Sequence, residues 1–153
     1  MPLADLVAPN AVMAALKVNG KKQALQELAA RAAELTGQNE RGIFEILLQR
    51  EKLGSTGIGN GIAIPHGKLP KLNKLFGLFA RLARPVDFEA LDGQPVDLVF
   101  LLLAPEGAGA DHLKALARVA RLLRDPELAR KLRDSRDAEA IYAVLALPPA
   151  SAA

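Results

Sequence analysis

The chain has 153 residues, half of them hydrophobic and about a quarter charged, the size and composition of one soluble domain that buries roughly two thirds of its unfolded surface. Aromatic residues make up only 4%, so the core must be aliphatic. The absence of cysteine excludes disulfides, thiolate metal sites and thiol catalysis and points to a reducing, cytoplasmic setting, while a formal charge of +3 makes no whole-chain demand for nucleic acid.

In chain order, Ala11 to Val18 reads as an edge or early strand, broken by Asn19-Gly20. From Lys21 to Thr36, Leu25, Leu28, Ala29, Ala32 and Leu35 recur at helical spacing, and Gly37 is a terminating signal. Asn39 is placed to cap a second helix whose buried face is Ile43, Phe44, Leu47 and Leu48, with Arg50 near its C-terminus and Gly54 as its stop. Apolar runs at Ile62 to Ile64, Leu75 to Leu82 and Val96 to Leu103 read as strands. The last is apolar on both alternating faces after Asp97, as expected of a central strand covered on both sides. Beyond it, Leu113, Leu116, Ala117, Ala120 and Leu123 keep a helical repeat. Asp125-Pro126 begins another helix, and Asp137 caps a last one ending near Leu147.

These signals predict an α/β fold, a single-domain sandwich with a mixed β-sheet flanked by helices on both faces. The domain is expected over residues 1–147, followed by a flexible C-terminal tail over 148–153, where two prolines precede only small residues. No secretory leader is visible, and the longest strongly apolar run, Leu98 to Ala104, is far shorter than the roughly 20 residues that span a bilayer, so no membrane insertion is expected.

The stretch from Arg50 to Lys68, REKLGSTGIGNGIAIPHGK, holds one of the two histidines. Gly54, Gly57, Gly59 and Gly61 allow positive φ and let an anion approach the backbone. The spacing is that of neither a Walker loop nor a dinucleotide fingerprint, and Asn60-Gly61 also fits a plain hairpin turn. His66 follows Pro65 at the end of a strand. Its imidazole, mostly neutral at pH 7, offers a nucleophilic nitrogen to a phosphoryl donor; equally, it fits a turn histidine that only caps a strand.

His112 lies in the first turn of a helix, where free amides and the positive dipole end favour an anion and a neutral ring. It fits either a hydrogen-bond donor to a phosphoryl group or a surface histidine. Arg50 can be a solvated helix residue or a planar fork that neutralises a phosphoryl group. Asp87, Glu89, Asp92 and Asp97 read as a solvated rim, with no metal cluster. Lys114, Arg118 and Arg121 share a helical face that Arg124, Arg130, Lys131, Arg133 and Arg136 extend, which raises a nucleic-acid reading. Interspersed acids and missing aromatics argue against it, so no nucleic acid is expected.

The run LLQREKLGSTGIGNGIAIPHGK resembles the active-site segment of the mannitol/fructose class of enzyme IIA domains in the bacterial phosphoenolpyruvate-dependent phosphotransferase system, above all its nitrogen-regulatory branch. The likeness extends to DHLKALARVARLLRDPELARKLR and so covers nearly the whole chain. It implies that His66 accepts a phosphoryl group from a histidine-containing phosphocarrier protein, that Arg50 lies beside it, and that His112 is a second active-site histidine. On that basis, amides of Ser55, Thr56 and Gly57 are expected to help bind the phosphate. No cofactor is implied. In the regulatory branch the resemblance implies control of nitrogen metabolism and partners such as potassium transporters or sensor kinases. A fructose/mannitol-type subunit that passes the group to a separate IIB component is the alternative.

Overall fold

Six strands and five helices follow one another in the computed structural model, which describes residues 2–148. Of the tail expected over 148–153, residues 149–153 lie outside the described residues. A short 3-10 turn, Leu3–Asp5, precedes β1 (Val7–Leu16), which begins before the expected Ala11 and stops before Val18. Helix α1 (Lys21–Thr36) buries Ala24, Leu25, Leu28, Ala29 and Ala32 and ends where Gly37 turns left-handed, φ 75°, to donate its N–H to Ala33. Helix α2 (Glu40–Lys52) starts where the Asn39 side chain accepts from the Gly42 amide at 2.8 Å. It buries Ile43 and Leu47, while Phe44 and Leu48 are half-buried.

Strands β2 (Gly57–Gly59) and β3 (Ile62–Ala63) form a hairpin whose turn, Asn60-Gly61, takes φ 58° and 79°, the conformation the hairpin reading requires. Strand β4 (His66–Leu69) follows, then β5 (Phe76–Val86) and β6 (Val96–Pro105). Helices α3 (Ala110–Leu123), α4 (Pro126–Asp134) and α5 (Ala138–Leu145) complete the chain, the last stopping before the expected Leu147. Asp125 and Asp137 cap α4 and α5 as predicted.

The sheet order is β1-β5-β6-β3-β2, with β4 pairing β6 beyond β3. Strand β6 runs antiparallel to β5 and parallel to β3 and β4, and every residue from Leu98 to Ala104 is buried. This is the central strand that two-faced apolarity implied. Helices α1 and α2 pack together and against β5 and β4; α3, α4 and α5 form a second group against β6 and β1. One contiguous aliphatic core results, with Phe79, Phe88 and Phe100 its largest side chains.

Two expectations need correction. Helix α3 faces inward with His112, Ala115, Val119, Leu122 and Leu123, whereas Leu113 is 68% exposed and Ala117 is exposed too. Leu113 and Ala117 are apolar residues on the outer face, beside Asp111, Lys114 and Arg121, so apolar spacing locates the helix without fixing which face is buried. Asp97 is no solvated rim residue, because its carboxylate takes Arg133 Nε at 2.9 Å, and Arg133 also donates to the Asn60 carbonyl, pinning the β2–β3 turn to α4. Asp92 supports the same turn by accepting from the Asn60 amide. Of the basic series, Arg130 pairs with Glu127 and Asp134, and Arg133 with Asp97.

Candidate functional site

Strands β3 and β4 lie end to end along the same edge of β6, Ile62 and Ala63 opposite Leu98 and Val99, His66 opposite Leu102. Pro65 interrupts them because it has no N–H to give the ladder; its carbonyl still accepts from the Leu102 amide at 3.0 Å. The interruption places the Ile64 carbonyl next to His66 Nδ1, at 2.8 Å. A carbonyl can only accept, so Nδ1 carries the proton and the neutral ring presents its lone pair at Nε2. His66 therefore opens β4 instead of closing a strand as expected. The signal that hid β4 is its composition, His-Gly-Lys-Leu, with no apolar alternation to mark it.

Arg50 reaches this lone pair from α2. Its Nε donates to His66 Nε2 at 3.2 Å and its Nη1 to the Gly54 carbonyl at 2.9 Å. What brings the helix close is Gly67: a methyl group there would overlap Ile46, one helical turn before Arg50. Ile46 sitting over Gly67 thus sets Arg50 over His66.

The turn after β6 folds back so that α3 begins at Ala110 and carries His112 in its first turn. His112 is only 6% exposed, and its ring meets that of His66 edge-on, centroids 5.8 Å apart at 69°. Its Nε2 is buried without a hydrogen-bond partner among the described residues. Burial, more than anything else, pushes both imidazoles below the usual histidine pKa. For His66 the Arg50 charge adds to this, against the opposing pull of the Ile64 carbonyl and Glu51; for His112, His66 and Lys68 add to it. With both pKa values held below 6.5, the rings are mostly neutral at pH 7, and the His66 lone pair faces a permanent cation.

Ser55, Thr56 and Gly57 follow Arg50 in the chain, and the Thr56 and Gly57 amides and the two hydroxyls bond within the protein. The Thr56 amide and hydroxyl both bond to the Glu51 carboxylate, the Gly57 amide to Ser55 Oγ, and Ser55 Oγ to the Phe88 carbonyl. In this arrangement the Thr56 amide ties the loop to α2, and the Gly57 amide closes on Ser55 within the loop. Glu51, which the sequence reading passed over, is the anchor. It is buried, takes Thr56 N at 3.0 Å and pairs with Lys21 at 2.8 Å, linking α1, α2 and the loop. A glutamate in the last turn of a helix opposes the dipole, and that local misfit was the available sign that it has a tertiary partner.

Among the described residues, no group of three or more His, Cys, Asp or Glu side chains could hold a metal ion, and no helix is long and apolar enough to cross a membrane.

Comparisons with known proteins agree on one family. The family model described as phosphoenolpyruvate-dependent sugar phosphotransferase system, EIIA 2, matches residues 5–147. A nitrogen regulatory protein of Bradyrhizobium diazoefficiens is 80% identical over 153 residues, the full length of both chains. The crystal structure of nitrogen regulatory protein IIA-Ntr from Neisseria meningitidis matches with a TM-score of 0.88 at 34% identity, covering 94% of this chain and 98% of that one. The IIA mannitol structure from Escherichia coli shares the fold, with a TM-score of 0.75 at 22% identity over 91% of this chain and 97% of its own.

Proposed function

Because the chain belongs to the EIIA 2 family of the phosphoenolpyruvate-dependent sugar phosphotransferase system, with relatives named nitrogen regulatory proteins, we propose that His66 accepts a phosphoryl group from a histidine-containing carrier protein and that its phosphorylation state controls partner binding. The observation that carries this reading is the His66 tautomer: Nδ1 is committed to the Ile64 carbonyl, and Nε2 holds a lone pair facing a guanidinium.

In the proposed step the Nε2 lone pair attacks phosphorus in line. The new N–P bond forms as the donor's P–N bond breaks, and the donor imidazole keeps that electron pair. The proton on Nδ1 stays in place, and the Ile64 carbonyl stabilises the positive charge that the phosphorylated ring acquires. Arg50 shifts its N–H groups from the lone pair to the phosphoryl oxygens, and His112 supplies a further donor from its unpartnered Nε2. Leu53 and Leu113, 86% and 68% exposed, follow Arg50 and His112 closely in sequence and offer apolar contact to the arriving carrier. Roughly two negative charges added at His66 then change affinity for targets, which we propose include components of nitrogen metabolism, potassium transporters or sensor kinases.

The test is incubation with phosphoenolpyruvate, enzyme I and the carrier. One acid-labile phosphoryl group is expected on the wild type and none on His66→Ala, and undiminished labelling of that variant would overturn the assignment. Adding a IIB protein separates the two roles: rapid loss of the label to it favours sugar uptake, and retention favours regulation.

A further inference from the structure

The end of β6, the segment leading into β5, the N-terminal turn and α3 line an open surface cleft of about 690 Å³, a volume within the range of small-molecule sites. Neither His66 nor His112 lines it. Its walls carry three cations, Lys74, Lys114 and Arg118, and two carboxylates, Asp5 and Asp111, over apolar surface from Leu6 and Leu75. None of these five charged groups forms an ion pair among the described residues.

Two features of this lining call for a ligand. Arg118 Nε is buried without a hydrogen-bond partner among the described residues, and an unmade bond to a charged donor is costly. Arg118 also stands one helical turn from Lys114, a like-charge spacing that destabilises a helix unless an anion lies between the two. The Asp111 carboxylate, within a turn of Lys114, does not pair with it, so the cations on this stripe of α3 remain unneutralised by the protein.

We propose that the cleft binds a small organic anion, its phosphate or carboxylate held by Arg118, Lys114 and Lys74 and its carbon skeleton resting on Leu6 and Leu75. Arg118 supplies the planar fork that both anions match, and the lysines supply charge. Asp5 and Asp111 favour a ligand that also carries hydroxyl or amino donors.

The experiment is an NMR titration of the full-length, 15N-labelled chain with inorganic phosphate and, separately, with L-glutamate as the carboxylate probe. Saturable shifts are expected at Lys74, Leu75, Gly107, Ala108 and the Arg118 Nε–H. Saturation by phosphate alone assigns a phosphate ester, and by glutamate alone a carboxylate. Arg118→Gln is expected to weaken binding about tenfold, the scale of one charge-assisted contact, while leaving phosphorylation of His66 unchanged. Lys114→Gln, at an exposed position, is expected to weaken it too, and serves where the arginine variant folds poorly. Absence of saturable shifts with both probes, shifts confined to Arg50 and His66, or affinity undiminished in both variants would overturn the proposal.

Discussion

Arg50 Nε donates to His66 Nε2 across 3.2 Å while His66 Nδ1 is held by the Ile64 carbonyl at 2.8 Å, so the ring is fixed at both nitrogens. The same guanidinium is anchored to Gly54, which leaves it positioned before any phosphate arrives. Arg50→Ala is therefore expected to slow phosphorylation of His66 by roughly tenfold to a hundredfold, the value of a hydrogen bond to a charged group. Arg50→Lys should recover little of this, because an ammonium cannot hold Gly54 and reach Nε2 as a planar fork does. Rates of labelling by the phosphorylated carrier measure both, and a wild-type rate for the alanine variant would remove Arg50 from the mechanism.

Glu51 is the most consequential charge that does not touch His66. Its side chain is 3% exposed, so removing the carboxylate leaves two Thr56 donors without their acceptor and leaves the Lys21 ammonium only its longer contact with the exposed Glu89, at 3.5 Å. Glu51→Ala should cost about 3–5 kcal/mol of stability in urea unfolding, the range for breaking one side of a buried pair. Glu51→Gln, which keeps the shape and an acceptor oxygen, should cost less. A loss within about 0.5 kcal/mol for the alanine variant, the scale of a surface substitution, would show that the pairing contributes little.

Gly67 is the contact through which α2 rests on β4. A methyl group at this position overlaps the Ile46 side chain, and relief requires either a rotamer change or a retreat of the helix that carries Arg50. Gly67→Ala should lower stability by about 1–3 kcal/mol, the usual cost of overpacking, and also slow phosphorylation of His66. The discriminating companion is Ile46→Ala in the same chain. By making room for the methyl it should restore much of the lost labelling rate, and a double variant no faster than Gly67→Ala would sink the steric account.

How much of this was legible in sequence depended on whether the signal was local. Helices α1 and α2 were read to their ends because Gly37 and Asn39 carry chemistry that fixes a terminus by itself. The Asn60-Gly61 turn was readable for the same reason. Strand β4 was not, since His-Gly-Lys-Leu has no strand pattern and becomes a strand only by pairing with Leu102 to Pro105 of β6. The exposure of Leu113 and the burial of His112 and Glu51 are likewise decided by what packs against each helix. At the site, the sequence singles out His66, Arg50 and His112, and these three converge, while of the Ser55 to Gly57 amides those of Thr56 and Gly57 bond within the protein, to a carboxylate and a hydroxyl that no local pattern announces.

The two histidines should make the protein sensitive to mild acid. Burial holds the pKa of both His66 and His112 below the ordinary 6.5, so above that pH folded and unfolded chains carry neutral rings and the histidines add no pH dependence. As the pH falls through 6.5 the unfolded chain takes up protons that the folded chain refuses. The unfolded state then binds more protons, and stability declines with falling pH until the folded rings themselves titrate. Each unit of difference is worth about 1.4 kcal/mol. Urea unfolding at pH 7.5 and 5.5 should show the loss, and His112→Gln should reduce it. The acceptor reaction follows the same sign, because protonation removes the Nε2 lone pair, so the acid limb of the labelling rate should lie below pH 6.5. Titrating the ring Hε1 resonances of the two histidines gives the midpoints directly. Values at or above 6.5 for both would show that burial does not keep these rings neutral, and with that the account of His66 as a ready nucleophile would lose its electrostatic basis.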